Sequence, residues 1–191
     1  MKNLLTTLNE FYPLSKKSLE QLSSIFEEKK FKKKDKIATF GEVPTNFFVL
    51  KSGIARSYIT DEKGKEFTRS LYVPMRAVGA FSSLILNKPT EVVYDCLTDC
   101  TLLVGDFKEF KELASKNIEL SNLYNVILER LFIRMEKRIF DLSSLDAKQR
   151  YLKLRKFIPE IDALIPQYHI ASYLNITPVQ LSRIRKDIYK S

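Results

Sequence analysis

The sequence predicts an α+β fold: an N-terminal antiparallel β-roll of the jelly-roll kind, a long central helix, and a C-terminal all-α helix-turn-helix unit. Three observations carry this. Between Ile37 and Asp106 short segments rich in β-branched and aromatic residues follow one another without helical spacing between them. From Ile118 to Leu142 apolar residues recur every three or four positions, over a length of roughly six helical turns. From Gln167 to Ile188 the residues expected of two short helices and a tight turn fall in register. The division that follows is a β-roll over 1–116, a central helix over 117–143 and a helical unit over 144–191.

Taken in order, Leu19, Leu22, Ile25 and Phe26 have helical spacing, opened by a cap at Ser15 or Ser18, so a helix is expected from Ser15 to about Lys30. The lysines at 29, 30, 32, 33, 34 and 36 follow; a solvated turn leading into a strand is favoured over a phosphate-binding role. Strands are expected over Asn46–Lys51, Ile54–Thr60, Glu66–Val73, Ala77–Phe81, Glu91–Leu97 and Thr101–Val104. Ser52-Gly53 and Lys63-Gly64 supply the turns between them. Many closely spaced strands without intervening helices argue for a barrel or roll. Asp106 then caps a helix through Phe107, Phe110, Leu113 and Ala114. The stripe on the central helix, including Tyr124, Ile127, Leu131 and Met135, reads as a core face or a dimer seam. The seam is favoured because the helix is longer than a small barrel needs as cover. Arg138 interrupts the stripe. A further helix runs from Ser144 to Phe157, opened by Ser144 or Asp146 and stopped before Pro159.

In QYHIASYLNITPVQLSRIRKDI, Ala171 is small where two helices cross closely, and Asn175 sits where the turn needs a left-handed backbone. Thr177 caps the second helix and Pro178 takes its first position. Leu174, Ile176, Leu181 and Ile184 supply the apolar contacts. The polar face then carries Thr177, Gln180, Ser182, Arg183, Arg185 and Lys186, chemistry suited to DNA: Arg pairs with guanine, Gln with adenine, and Lys with phosphate. His169, the only histidine, has no partners nearby in sequence and is expected to pack or face solvent.

Composition agrees. The chain has 191 residues, 45% hydrophobic and 29% charged, with 32 Lys and Arg against 23 Asp and Glu. The net charge of +9 favours a polyanionic partner. From Ser143 onward nine basic residues face four acidic ones. With only Cys96 and Cys100, no disulfide framework and no four-cysteine metal site is expected, and a cytoplasmic setting fits. The N-terminal MKNLLTTLNEFYPLS is too broken for a signal-peptide core, and no stretch reaches the length of a membrane span.

The segment FGEVPTNFFVLKSGIARSYITDEKGKE, from Phe40 to Glu66, resembles the cyclic-nucleotide-binding fold of the Crp/Fnr superfamily of transcription regulators. ITPVQLSRIRK is similar to the recognition helix of that superfamily, its Ser-Arg pair falling on Ser182 and Arg183. The resemblance implies a non-enzymatic homodimer, joined along the central helices, that reads a palindromic double-stranded operator. RNA polymerase and an unidentified small-molecule effector are its further implied partners. The chain is most similar to the short members without a β-hairpin wing, and Val179 stands where many relatives have Glu.

Members that bind cyclic AMP carry Phe-Gly-Glu and then an Arg for the cyclic phosphate. Here the stretch reads Val78-Gly79-Ala80-Phe81-Ser82-Ser83 and later Pro89-Thr90-Glu91, with a carboxylate where a cation is needed. Cyclic AMP is therefore disfavoured, and no cofactor is identified. The candidate pocket comprises Arg69, Arg76, Gly79, Phe81, Ser82, Ser83, Lys88 and Thr90, with Arg69, Arg76 and Lys88 as the available cations. N-terminal cysteines for oxygen sensing and β-roll histidines for haem or cupin chemistry are lacking. The competing reading is a small-molecule-binding β-roll whose helical tail docks to another protein.

Overall fold

The computed structural model describes residues 12–189; the segment read above for a signal peptide lies largely outside them. Helix α1 (Lys16–Ser24) starts where the Ser15 hydroxyl accepts the Ser18 N–H. It stops well short of Lys30, because the chain turns at Ile25 into strand β1 (Phe26–Phe31). Helical spacing ends there for a physical reason. Positions 27 to 30 offer only charged side chains, while the backbone edge of a neighbouring strand, Cys100–Asp106, takes β1 along its whole length. Phe26 still joins the core, edge-on to Phe47 with ring centroids 5.4 Å apart.

The other strands are β2 (Lys36–Ala38), β3 (Asn46–Ser52), β4 (Ala55–Thr60), β5 (Glu66–Tyr72), β6 (Arg76–Val78), β7 (Val93–Cys96) and β8 (Cys100–Asp106). They form two antiparallel four-stranded sheets, ordered β1-β8-β3-β6 and β2-β7-β4-β5. β1 escapes the sequence reading, β2 is the strand expected after the lysine run, and Phe81 opens a short helix α2 (Phe81–Leu86) instead of closing a strand. The β3–β4 turn depends on Gly53, at φ +90, where a Cβ would lie 2.3 Å from the Asp99 carbonyl oxygen. Between the sheets lie Phe48, Leu50, Val78, Tyr94, Cys96 and Leu102.

Helix α3 (Phe107–Lys116) is capped by Asp106, whose carboxylate accepts the Glu109 N–H at 2.8 Å. Helix α4 (Ile118–Ser144) spans 27 residues, about 40 Å. Asn117 caps it and also donates to Ser18 and Gln21, which ties α1 to its start. The N-terminal half of α4 packs on the β-roll through Leu120, Leu123 and Tyr124. A capping box of Asp146 and Gln149 opens α5 (Ala147–Phe157). A short α6 (Ile161–Leu164), not expected from the sequence, follows Glu160, which is left-handed after Pro159. Helices α7 (Gln167–Leu174) and α8 (Pro178–Tyr189) complete the chain.

Candidate nucleic-acid interface

The α7–α8 unit follows the local rules its sequence suggested. Asn175 adopts φ 55, ψ 47, and the Ile176 N–H donates to the Ala171 carbonyl at 3.0 Å, closing the end of α7. Ala171, Leu174, Ile170 and Leu181 are fully buried between the helices and α5. The Thr177 hydroxyl accepts the Gln180 N–H, and the Gln180 carboxamide oxygen accepts the Thr177 N–H at 2.9 Å. This is a capping box the sequence reading did not see. It occupies Oε1 of Gln180 and leaves its NH2 free, so the side chain as placed suits a base acceptor rather than the two-point adenine contact expected above.

Thr177, Gln180, Ser182, Arg183 and Lys186 are all exposed. Arg185 differs: it is turned toward Asp162, with Nε 3.7 Å from Oδ1. Asp162 also accepts the Tyr151 hydroxyl at 2.6 Å. Arg185 thus braces α8 against α6 in this structure and does not share the exposed face of Arg183.

The unit is docked on the β-roll through a cluster that no sequence pattern announced. Arg56 of β4 is 3% exposed. Its guanidinium donates to both Asp95 oxygens, at 2.8 and 3.0 Å, and lies 2.6 Å from Glu66. Its remaining Nη1 donates to Nδ1 of His169 at 2.9 Å. An arginine has no acceptor, so Nδ1 must be unprotonated and the ring neutral with its proton on Nε2. Burial, then the Arg56 and Lys33 charges, push the His169 pKa down to about 4.

Beside it, Ser172 accepts the Thr68 N–H at 2.9 Å and donates to the Glu66 carbonyl at 3.1 Å, so α7 covers the edge strand β5. Ile54, Leu71 and Leu97 of the β-roll share one apolar cluster with Ile158, Ile170 and Leu181. Arg138 has a use its place in the α4 stripe did not suggest: it donates to the Tyr173 carbonyl and lies 4.0 Å from the centre of that ring.

Of the residues proposed for an effector pocket, Ser83 accepts the Lys88 N–H at 3.1 Å through its carbonyl and Gly79 lies beside Phe81, but the three cations do not converge on a cavity. Arg69 and Lys88 are exposed, as are Ser82 and Glu91. Arg76 lies 5.7 Å from the centre of the Phe157 ring. Thr90 bonds within its own turn, to the backbone of Val92 at 3.0 and 3.1 Å, and buried Ser83 donates to the Pro89 carbonyl at 3.5 Å. Gly79 is buried, and Phe81 lines an apolar cavity of about 30 Å³ with Phe47, Phe107 and Ile127. A second, more polar cavity of about 180 Å³ lies among Thr39, Glu42, Asn46 and Thr90. None of Arg69, Arg76 and Lys88 lines either cavity.

The residues expected in a dimer face differ in their surroundings along α4. Tyr124 is buried within its own protomer, its ring edge-on to Phe107 and Phe110, and Ile127 lines the apolar cavity. Leu131 is half-buried and Met135 is exposed. Phe132, Met135, Ile139 and Leu142 project from the C-terminal half at spacings of three and four, with Phe132 63% and Ile139 65% exposed. Of the four residues expected in a seam, the chain thus packs Tyr124 and Ile127 against its own core and leaves Met135 exposed.

Among the described residues no helix is long and apolar enough to cross a membrane, and no three His, Cys, Asp or Glu side chains are placed to hold a metal.

A β-roll, a long helix and a helix-turn-helix docked against the roll make up the architecture, and comparison with known proteins finds the same arrangement. Residues 28–117 match the family described as the cyclic nucleotide-binding domain. The chain is 24% identical over 188 residues to an anaerobic regulatory protein of Aggregatibacter actinomycetemcomitans, covering 91% of this chain and 71% of that one. Its fold is that of FixK2 from Bradyrhizobium japonicum, with TM-score 0.71, 16% identity and coverage of 87% and 85% of the two chains. A regulator assigned to the crp/fnr family, from Eubacterium rectale, also superposes with TM-score 0.71, at 18% identity and with 94% and 88% covered. The resemblance to the Crp/Fnr superfamily read from the Phe40 to Glu66 segment is borne out: residues 28–117 match the cyclic nucleotide-binding domain family, and the chain has the fold of solved Crp/Fnr regulators.

Proposed function

We propose that this chain is a sequence-specific DNA-binding transcription regulator of the Crp/Fnr type, acting in the cytoplasm as a homodimer joined along α4. The observation that carries this reading is the exposed face of α8, with Ser182, Arg183 and Lys186 held outward by a capped and packed helix pair. Two such helices related by a dimer axis would read half-sites about one DNA turn, roughly 34 Å, apart, so the operator is a palindrome. The protein acts by binding and performs no catalysis.

The test is selection of duplexes from a random pool, followed by titration at two ionic strengths. A steep salt dependence is expected from release of counterions at the phosphates contacted. A tail that docks to protein instead would enrich no duplex. On the selected operator Arg183→Ala should cost roughly 1–3 kcal/mol and relax preference at one base position, whereas Lys186→Ala should weaken all sequences alike. Equal, sequence-blind losses from both would remove Arg183 from base reading.

The β-roll keeps the shape of a nucleotide-binding domain with an altered pocket. A buried cyclic phosphate needs a guanidinium or a set of N–H donors, and leaving it unpaired costs several kcal/mol. Arg69, Arg76 and Lys88 all stand outside the cavities, and Tyr72 and Tyr94 pack together with ring centroids 6.1 Å apart. Calorimetry should record no binding of cyclic AMP; micromolar binding, lost on mutating one of those three cations, would overturn the reading.

A further inference from the structure

Of the six side chains expected to meet DNA, Arg185 alone is turned from the exposed face of α8. It stands four residues after Leu181 and three before Ile188, and so shares the packed side of the helix with them. Arg183, two residues earlier, points to the other side and is exposed. Leu181, Ile184 and Ile188 form an apolar seam that holds α8 against its neighbours. Such contacts are non-directional, whereas an ion pair to one fixed carboxylate sets the rotation of a helix about its own axis.

Asp162 is that carboxylate, and it is itself held in place. It lies on α6, a single turn that follows Glu160 at φ 58, a left-handed conformation unfavourable for a residue with a Cβ. Buried Ile161 pins the turn, and the hydroxyl of buried Tyr151 donates to Asp162 Oδ2 at 2.6 Å. Arg155 Nε stands 3.9 Å from the same oxygen. The contact with Arg185 has a different quality. Nε of Arg185 is 3.7 Å from Oδ1, within ion-pair reach but too long for a hydrogen bond. Oδ1 of Asp162 and Nη1 of Arg185 are both buried, and neither has a hydrogen-bond partner.

A buried pair with an orphaned atom on each side is a poor device for stability. Desolvation of both charges offsets their attraction, and apolar side chains of similar size in such a place are commonly neutral or stabilising. Without Arg185, Asp162 would still keep Tyr151 and Arg155. The arrangement nonetheless sits on the helix that offers Arg183 and Lys186, and a local sacrifice of stability there points to a part in recognition.

We infer that Arg185 is a positioning residue for DNA recognition: held by Asp162, it sets the rotation of α8 and thereby the base that Arg183 meets. The inference rests on the DNA-reading proposal above and adds to it a specificity-determining residue that touches no DNA. Successive residues on a helix differ by about 100° in direction, and a two-point arginine–guanine contact needs both N–H groups aligned. A fraction of that angle takes Arg183 off its base, while Lys186 still finds a phosphate.

The experiment uses the full chain and the selected operator, with the other three base pairs substituted at the position read by Arg183. Arg185→Met, of similar reach without the charge, should leave the urea midpoint unchanged or raised. It should lose most of the roughly 5- to 150-fold discrimination that a two-point arginine confers, with the salt dependence as in wild type. Arg185→Lys, which keeps a cation opposite Asp162, should restore part of the discrimination. Arg185→Met added to Arg183→Ala should cost no further discrimination at that position. Unchanged base preference in Arg185→Met would overturn the inference. So would a salt slope lowered by about 0.9, which would make Arg185 a phosphate contact of its own. A lowered urea midpoint with equal losses at every base pair would reduce the pair to a structural brace. If wild-type protein enriches no duplex, or Arg183→Ala relaxes no base position, the DNA-reading proposal itself fails. That result is distinct from failure of the positioning role, in which Arg183 still reads its base.

Discussion

Replacing Arg56 by Met is expected to lower the free energy of unfolding by about 3–5 kcal/mol, the range found when one partner of a buried ion cluster is removed. The guanidinium is 3% exposed, and Asp95, its two-point partner, is nearly as deep. Without the cation that carboxylate stays in the interior unpaired, His169 loses the donor at Nδ1, and the edge of β5 loses part of what holds α7 against it. Glu66 is 40% exposed and contributes little of the loss. Arg56→Lys should rescue only in part, because a single ammonium cannot meet Asp95 in two points and still reach His169. Urea unfolding measures this directly, and a change below 1 kcal/mol would show that apolar contacts alone hold the joint.

The same cluster makes stability depend on pH with a definite sign. His169 binds a proton near pH 6.5 when unfolded and only near about 4 when folded. Between those values the unfolded chain binds more protons, so stability rises with pH through this window. Its contribution is complete above pH 6.5, is lost as pH falls toward 4, and amounts to at most about 3 kcal/mol. His169→Gln, which keeps an acceptor but cannot be protonated, should flatten the profile in this window; an unchanged profile would remove His169 from the linkage.

If the proposed dimer forms along α4, changing Met135 and Ile139 to Glu should convert it to monomers and reduce operator affinity by on the order of 10²–10⁴-fold, the gain usually conferred by linking two binding sites. Both side chains are exposed in the protomer, 59% and 65%, so the folded monomer tolerates the charges. In a seam between two α4 helices the same carboxylates would be buried without partners, at several kcal/mol each. Sedimentation combined with thermal unfolding separates the outcomes: a monomer of unchanged stability is expected, and a persisting dimer would place the interface elsewhere. Ile127 would be the wrong probe, since it lines a cavity of the protomer's own core.

Several features were legible because they obey local steric rules. Asn175 was expected to be left-handed because few other residues accept that backbone, and Thr177, Pro178 and Asp146 mark helix starts by satisfying or lacking particular N–H groups. Alternation and turn residues placed most of the strands for the same kind of reason, since Gly53 leaves no room for any Cβ. β1 was hidden because its four central residues are charged on a strand that pairs along only one edge, and its identity comes from the partner strand β8.

By itself, then, the sequence determined which segments become helix, strand and turn wherever a residue's own backbone and capping preferences decide, and it marked Thr177, Gln180, Ser182, Arg183 and Lys186 on the exposed face of α8. Tertiary structure alone decided the rest. Arg56 and His169 meet across 113 residues, Tyr124 turns into its own protomer, Arg185 turns to Asp162, and Asp99 holds the 32–33 backbone from the neighbouring β7–β8 turn. Each joins residues brought together from different elements, in a site that exists only once both elements are in place.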